Sequence, residues 1–379
     1  MNSPLDSHPF PGSYAPDEVT FLLRRLRLVT TSLEQREQKI QSGHSHYSEM
    51  IGPEDAPSRE RLRLFRECLV TNGARMATDI STLADALAAS AVGDELTIVS
   101  IARAGTPVGV LLLHRLRQTA PHLRLAHYSI SVIRDRGADL VALSWIMARH
   151  APSSLRFVDG WTGKGTIANE LRGSLSAWSE APADLHLGLW VPLDVCGVAT
   201  FAASRQDYLI PSTLLGGTIS GLVSRSVLPH GEESQLHGCV SLDHLRRHDL
   251  SRWFIRRLTA LMANIPQGSS PTPNASGGPT RYAEARCCLA EVLVRHGLTD
   301  PNRVKLGIGE TVRVLLRRLP QVVCLSPDAR EADAHMIRRL AALRAVPVDT
   351  VRGLAFDALA VIAQASPTSP QPPKKTPCH

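Results

Sequence analysis

The segment LRFVDGWTGKGTIANEL, residues 155–171, constrains this chain more than any other. An apolar run of strand length delivers Asp159 at its end. Gly160, Gly163 and Gly165 follow, interleaved with Thr162 and Thr166, and a helix is predicted from Ile167. Glycines let successive N–H groups converge on one anion and keep Cβ atoms out of its path. A helix start adds unpaired N–H groups and the positive end of a dipole, and threonine hydroxyls add donors. Such a turn belongs in an open α/β sheet, whose ligands sit beyond the carboxyl ends of the strands. The turn is not a Walker A loop, because Gly165 follows Lys164 and Asp stands at position 159, and it is not G-x-G-x-x-G. An ordinary strand-to-helix turn is the plainer alternative.

The rest of the chain agrees with that fold class. Helical spacing runs from Arg59 to Ala91. A buried strand is predicted at 96–101, a helix at 108–116, a strand at 127–133, a helix at 140–150 and strands at 155–158 and 187–193. Strands alternating with helices imply a parallel sheet with crossover helices. The first 20 residues read as loosely draped. The stretch PQGSSPTPNASGGP reads as a linker. After it, helices at 283–296, 309–318 and 332–343 alternate with strands at 322–325 and 346–348. The division is therefore 1–42 as a flexible or helical N-terminal segment, 43–265 as the main domain, 266–280 as linker, 281–365 as a small C-terminal α/β domain and 366–379 as a low-complexity tail. At 379 residues and 43% hydrophobic residues the chain can fill two cores. Its seven cysteines have no CxxC or Cys/His ligand spacing, so no metal site is expected. No apolar run is long enough for a membrane span, and no leader segment is visible. A cytoplasmic location is expected.

Several segments resemble known families. The loop at 155–171 resembles the PRPP-binding loop of type I phosphoribosyltransferases. That resemblance places Asp159 near the ribose hydroxyls and Thr162, Gly163, Lys164, Gly165 and Thr166 around a 5′-phosphate. Gly160 stands where that family usually has a second acidic residue. TIVSIARAGTPVGVLL, residues 97–112, resembles the family's pyrophosphate loop, with Arg103, Ala104 and Gly105 at its turn. In SISVIRDRGADL, residues 129–140, Arg134 and Arg136 flank Asp135 and have the fork geometry to grip a pyrophosphate; a solvated charged turn is the alternative. With Asp159 they form the expected catalytic set. The transition state would have oxocarbenium character, with Mg²⁺ carried on the pyrophosphate.

Two further segments are candidates for acceptor recognition. GHSHYSEMIGPEDAPS, residues 43–58, offers His46, Tyr47 and Glu49. DYLIPSTLLGGTISGLVSRSVL, residues 207–228, offers Asp207 and Arg225. A satisfied polar turn and a buried sheet segment are the respective alternatives. HYSEM, ARAGTP, IRDRG, VDGWTGKG and DYLIPS together resemble the phosphoribosyltransferase-like family of tellurium-resistance and stress-response operons, over roughly residues 43–230. Some members are labelled cysteine protease StiP. The best-placed thiol here is Cys196, in PLDVCGVAT; a buried structural cysteine is the other reading.

The excess of the +7 net charge lies toward the end of the chain, a distribution that suits a polyanion or an ordinary surface. VKLGIGETVRVLLRRLPQVVCLSPDA, residues 304–329, resembles the pelota-like branch of kink-turn RNA-binding proteins. The resemblance implies an RNA surface at Lys305, Gly307, Gly309, Glu310, Arg313 and Arg317; a docking or dimerisation unit is the alternative. The expected fold is thus an open, mainly parallel α/β sheet of type I phosphoribosyltransferase kind plus a pelota-like α/β domain. The expected function is a phosphoribosyltransferase acting on PRPP or a ribose-phosphate substrate, coupled to structured RNA. A non-catalytic ribose-phosphate or nucleotide sensor that binds RNA or a partner is the alternative, and a cysteine peptidase using Cys196 is the third. DNA and membrane partners are not expected; homo-oligomers are compatible.

Overall fold

The computed structural model describes residues 8–268, apart from His44 and Glu233, and residues 278–364. Six strands form the main sheet: β1 (Thr20–Phe21), β2 (Glu95–Ile101), β3 (Arg124–Ile130), β4 (Leu155–Val158), β5 (Leu189–Leu193) and β6 (Phe201–Ser204). Their order is β1-β3-β2-β4-β5-β6, and every pairing is parallel. All carboxyl ends therefore open on one edge, where the informative turns follow β2, β3, β4 and β5.

Alternation along the strands sorts side chains onto two faces. Leu96 and Ile98 join one core, while Val99 and Ile101 join another. Helices α1 (Arg59–Ala89) and α2 (Gly105–Thr119), with the helix Ser251–Met262, cover the first face. Helix α3 (Thr166–Ala177) and the helix Leu140–Met147 cover the second. The spacing from Arg59 makes one long helix, begun by the Ser58 hydroxyl accepting the Arg61 N–H. At Gly73 a side chain would press on Leu261, so the helix Ser251–Met262 packs closely there.

The C-terminal region begins with α4 (Gly278–Arg295). Its sheet holds β7 (Val304–Leu306), β8 (Pro320–Leu325), β9 (Val348–Thr350) and β10 (Ala358–Ile362) in the order β7-β10-β8-β9. Helices α5 (Ile308–Arg317) and α6 (Glu331–Ala342) complete it. Its core runs without a break into the core under α1. Asp333 lies at that junction, fully buried, and accepts from Asn72 and from the Leu209 N–H.

Several expectations change. The N-terminal stretch is not loosely draped from Phe10 onward. Phe10 bridges and stacks on Phe21, and Tyr14 is buried with its hydroxyl on the Ile219 carbonyl. The stretch after Asp207 is not β-rich: Pro211–Leu214 and Gly216–Ile219 are 3₁₀ turns, because Pro and paired glycines interrupt any ladder. The strand expected at 127–133 ends at Ile130. Val132–Ile133 then pairs antiparallel with Gly137–Ala138, so Arg134, Asp135 and Arg136 form a hairpin tip. The last short strand starts at Val348 rather than Val346, whose N–H still closes the end of α6 on Ala341. Strand β6 and the helix Ser251–Met262 had no predicted counterpart. Of the linker expected at 266–280, residues 269–277 lie outside the described residues, as does the tail from 366. No helix among the described residues is long and apolar enough to cross a membrane.

Candidate functional site: a cationic cavity at the carboxyl edge of the sheet

Asp159 leaves the end of β4 and is nearly buried. Its Oδ1 accepts the Gly160 N–H at 2.7 Å. Burial raises its carboxyl to about 7, although Arg313 works the other way. The Thr162 hydroxyl donates to Asp194 Oδ1 at 2.5 Å. Asp194 also accepts the N–H groups of Cys196, Gly197 and Ala199. One carboxylate thus ties the loop after β4 to the turn after β5. Gly165 sits at φ +90° before α3, and a side chain there would strike Val198. A side chain at Gly160 would meet the Ala104 carbonyl at 2.9 Å, so the loop after β2 abuts this one.

Arg103 does not face the cavity as an anion donor. Its guanidinium makes a fork to Glu54 at 2.7 and 2.9 Å and donates to the Val223 carbonyl. Burial pushes the Glu54 carboxyl up, but Arg103 and then Arg317 outweigh it and hold it down to about 2. Gly105 opens α2 against Asp159 and has no room for a side chain.

The acceptor candidates mostly build the wall. The Tyr47 hydroxyl accepts the Arg134 N–H at 2.8 Å, and the Arg134 and Arg225 guanidiniums both lie over its ring. Arg225 donates to the carbonyls of Tyr47 and Met50. Arg136 turns away to Glu49 at 3.2 Å, and His46 turns to Ser48 and Asp135. Asp207 accepts the Ile308 N–H at 2.8 Å, capping α5 from the main sheet's side rather than meeting a ligand.

Four of the residues read as an RNA surface, Lys305, Glu310, Arg313 and Arg317, line the same cavity. Trp161 Nε1 donates to Glu310 Oε1 at 3.2 Å, and Gly309 lies against the indole, on which a side chain there would press. Glu310 also receives Arg313, whose guanidinium lies over the Trp161 ring. Lys164 donates to the Pro301 carbonyl. Gly307, at φ +91°, lets β7 turn into α5 against Val195 and Asp207.

Between these walls lies a cavity of about 480 Å³. Nine basic side chains line it against three acidic ones, Asp159, Asp300 and Glu310. Burial and like charges oppose this crowding. Burial, then Lys164, draws the Lys305 ammonium down to about 7 against the pull of Glu310. Burial and then Arg103 bring Arg317 to about 9, and burial and then Arg36 bring Arg225 to about 10. A site built this way favours a ligand carrying several negative charges.

Sequence reasoning missed Glu54, Trp161, Asp194 and Arg36. Arg36 and Glu37 lie on the helix Leu33–Gln41, which straps the end of α5. Arg36 donates to the Arg317 carbonyl, and buried Glu37 takes Arg318. The Ser32-x-x-Gln35 start was the available signal for that helix.

Cys196 is fully buried, and burial and then Asp194 push its thiol well up. Among the described residues Cys287 is the exposed cysteine.

Comparison with known proteins bears on these expectations. The family described as "Tellurite-like stress resistance cysteine protease StiP" matches residues 12–259, and "PELOTA RNA binding domain" matches residues 284–364. A protein of Acinetobacter baylyi named "Cysteine protease StiP" is 37% identical over 357 residues, covering 90% of this chain and 91% of its own length. No solved structure matches. The phosphoribosyltransferase expectation is overturned by these names, which give a cysteine protease. Geometry gives that expectation no support either, since Arg136 pairs with Glu49 and Arg103 with Glu54.

Proposed function

This chain belongs to the StiP family, and from that premise we propose that it is a stress-resistance protein controlled by a phosphate-bearing anion held in the cationic cavity. One observation carries the reading: nine basic side chains against three acidic ones line the cavity into which the loop Thr162–Thr166, where α3 begins, also opens. From one side that loop offers the start of α3 and the Thr166 hydroxyl, while the Thr162 hydroxyl and N–H hold the loop in place through Asp194 and the Leu193 carbonyl. Arg313 and Lys305 supply charge from the other. The anion therefore binds the main sheet and the C-terminal region together. Isothermal titration of inorganic pyrophosphate into the full chain, with and without Mg²⁺, tests this. Changing Thr162 and Thr166 to Val, or Arg313→Ala, should weaken binding by about tenfold or more. A folded wild-type chain that takes up no pyrophosphate sinks the reading.

A second reading, thiol-dependent peptide hydrolysis, comes from the name of the Acinetobacter relative. The thiol we assign is Cys196. The observation favouring it is Asp194, which holds both the anion loop through Thr162 and the turn bearing Cys196. Filling the cavity would pull on that carboxylate and so on the turn. In the present arrangement the thiol is buried and protonated, the reverse of an activated nucleophile. Peptidase activity that requires pyrophosphate and disappears in Cys196→Ala supports this reading. Activity untouched by Cys196→Ala removes it.

A further inference from the structure

The face of α5 that the chain would offer to RNA is the face that closes the anion cavity. Lys305, Glu310, Arg313 and Arg317 line the cavity, and Gly309 is covered by the Trp161 indole. Glu310 is occupied by Trp161 and Arg313, and the Arg317 guanidinium and the Glu54 carboxylate both lie close to Gly216. An RNA backbone needs those cations exposed and the helix start open to it. In the docked form Arg313 is exposed, but Lys305 and Arg317 are only partly so, and the helix start is closed by Asp207 on the Ile308 N–H and by the Trp161 indole over Gly309.

We propose that RNA and the cavity anion are competing ligands for this one surface, the docked form taking the anion and the undocked form taking RNA. The proposal rests on the cavity reading given above. Its physical basis is linkage: an anion bridging Thr162–Thr166 and Arg313 binds only the docked form and so draws the population toward it. RNA does the reverse. Docking also depends on contacts that touch neither ligand. Arg339 on α6 reaches Glu60 and Glu67 on α1, well outside the cavity lining. Those ion pairs therefore separate docking from binding.

The test uses the full chain, inorganic pyrophosphate and a labelled pool of RNA hairpins with randomised internal loops. Arg339→Glu places like charges beside Glu60 and Glu67 and should loosen docking. It should strengthen RNA binding by about tenfold while weakening pyrophosphate binding. Arg313→Ala should weaken both. Saturating pyrophosphate should displace RNA from the wild-type chain, at constant ionic strength. A second variant holds the halves shut. A side chain at Gly163 would touch the Glu310 Cγ at 3.0 Å, so Gly163→Cys with Glu310→Cys lies within reach of a disulfide. Oxidised, that variant should lose RNA binding; reduced, it should regain it.

Pyrophosphate binding to which RNA affinity is indifferent overturns the proposal alone and leaves the cavity reading standing. Equal RNA affinity in the oxidised and reduced double variant also overturns it. So does an RNA pool that binds neither the wild-type chain nor Arg339→Glu. No pyrophosphate binding by folded wild type removes the cavity reading and this proposal together.

Discussion

The indole N–H of Trp161 donates to Glu310 across the two halves of the chain, at 3.2 Å. Trp161 sits in the glycine-rich loop after β4, and Glu310 sits in the first turn of α5. The two segments that stand out most in the sequence are therefore the two walls of one cavity. Each was assigned its own ligand from sequence, and their contact is the geometry on which the proposed competition rests.

Anion affinity should fall as pH rises through 7. Asp159 titrates at about 7 and gains a negative charge above that; Lys305 titrates at about 7 and loses a positive one. Both changes remove positive charge from the lining, so they act in the same direction. Sulfate is the right probe, because its own charge is constant over the range. Its affinity should drop by about tenfold between pH 6 and pH 8.5. Asp159→Asn should flatten part of that slope, and an unchanged slope would remove Asp159 from the cavity's electrostatics.

Glu54 should contribute acid-sensitive stability. Its carboxyl is held at about 2, below its unfolded value of 4.5, by Arg103 and Arg317 against burial. A depressed acid stabilises the fold above its unfolded value. That contribution, about 3 kcal/mol, is lost as pH falls from 4.5 toward 2. Buried carboxyls with raised values, such as Asp159 and Asp207, act in the opposite sense, so the comparison must be with Glu54→Gln. The stability gap between wild type and Glu54→Gln, from urea melts, should be wide at pH 6 and close near pH 2.

Gly165→Ala should destabilise the chain by about 1–3 kcal/mol and weaken anion binding. The residue sits at φ +90°, and a methyl group would meet Val198 at 2.8 Å. Gly173→Ala, on α3 with open space around it, should leave stability within about 1 kcal/mol or raise it. Thermal melts of the pair check both statements, and equal losses would count against the strain argument.

Thiol labelling should separate the described cysteines. Cys287 is exposed and should react quickly in the native chain. Cys196, Cys68 and Cys239 should resist until unfolding, since burial pushes each thiol up. Mass spectrometry of briefly alkylated protein reads this directly. Faster labelling of Cys196 with pyrophosphate present is the outcome the peptidase reading expects.

Much of the fold was legible along the chain. The strand Leu155–Val158 and the helix after it follow from an apolar run, a glycine turn and a helical period, all local signals. The helix at 308–317 was legible for the same reason. Short pieces were not. Strand β1 has two residues and exists only because β3 lies beside it, and Tyr14 is buried by contacts some 200 residues away. Residues 207–228 misled because an apolar run says that a segment is buried, not how its backbone turns.

The sequence by itself determined that a glycine-rich turn follows β4 and opens a helix, and that α5 carries Arg313 and Arg317 and ends at Arg318. Those are properties of neighbouring residues, set by backbone freedom, helix ends and local charge. Only the tertiary structure decided where each charge is spent. Arg103 goes to Glu54, Arg136 to Glu49 and Asp207 to the start of α5, while Arg313 and Lys305 turn toward the loop after β4. Ion pairs and caps between segments far apart in sequence depend on packing, and packing is fixed by the whole core at once.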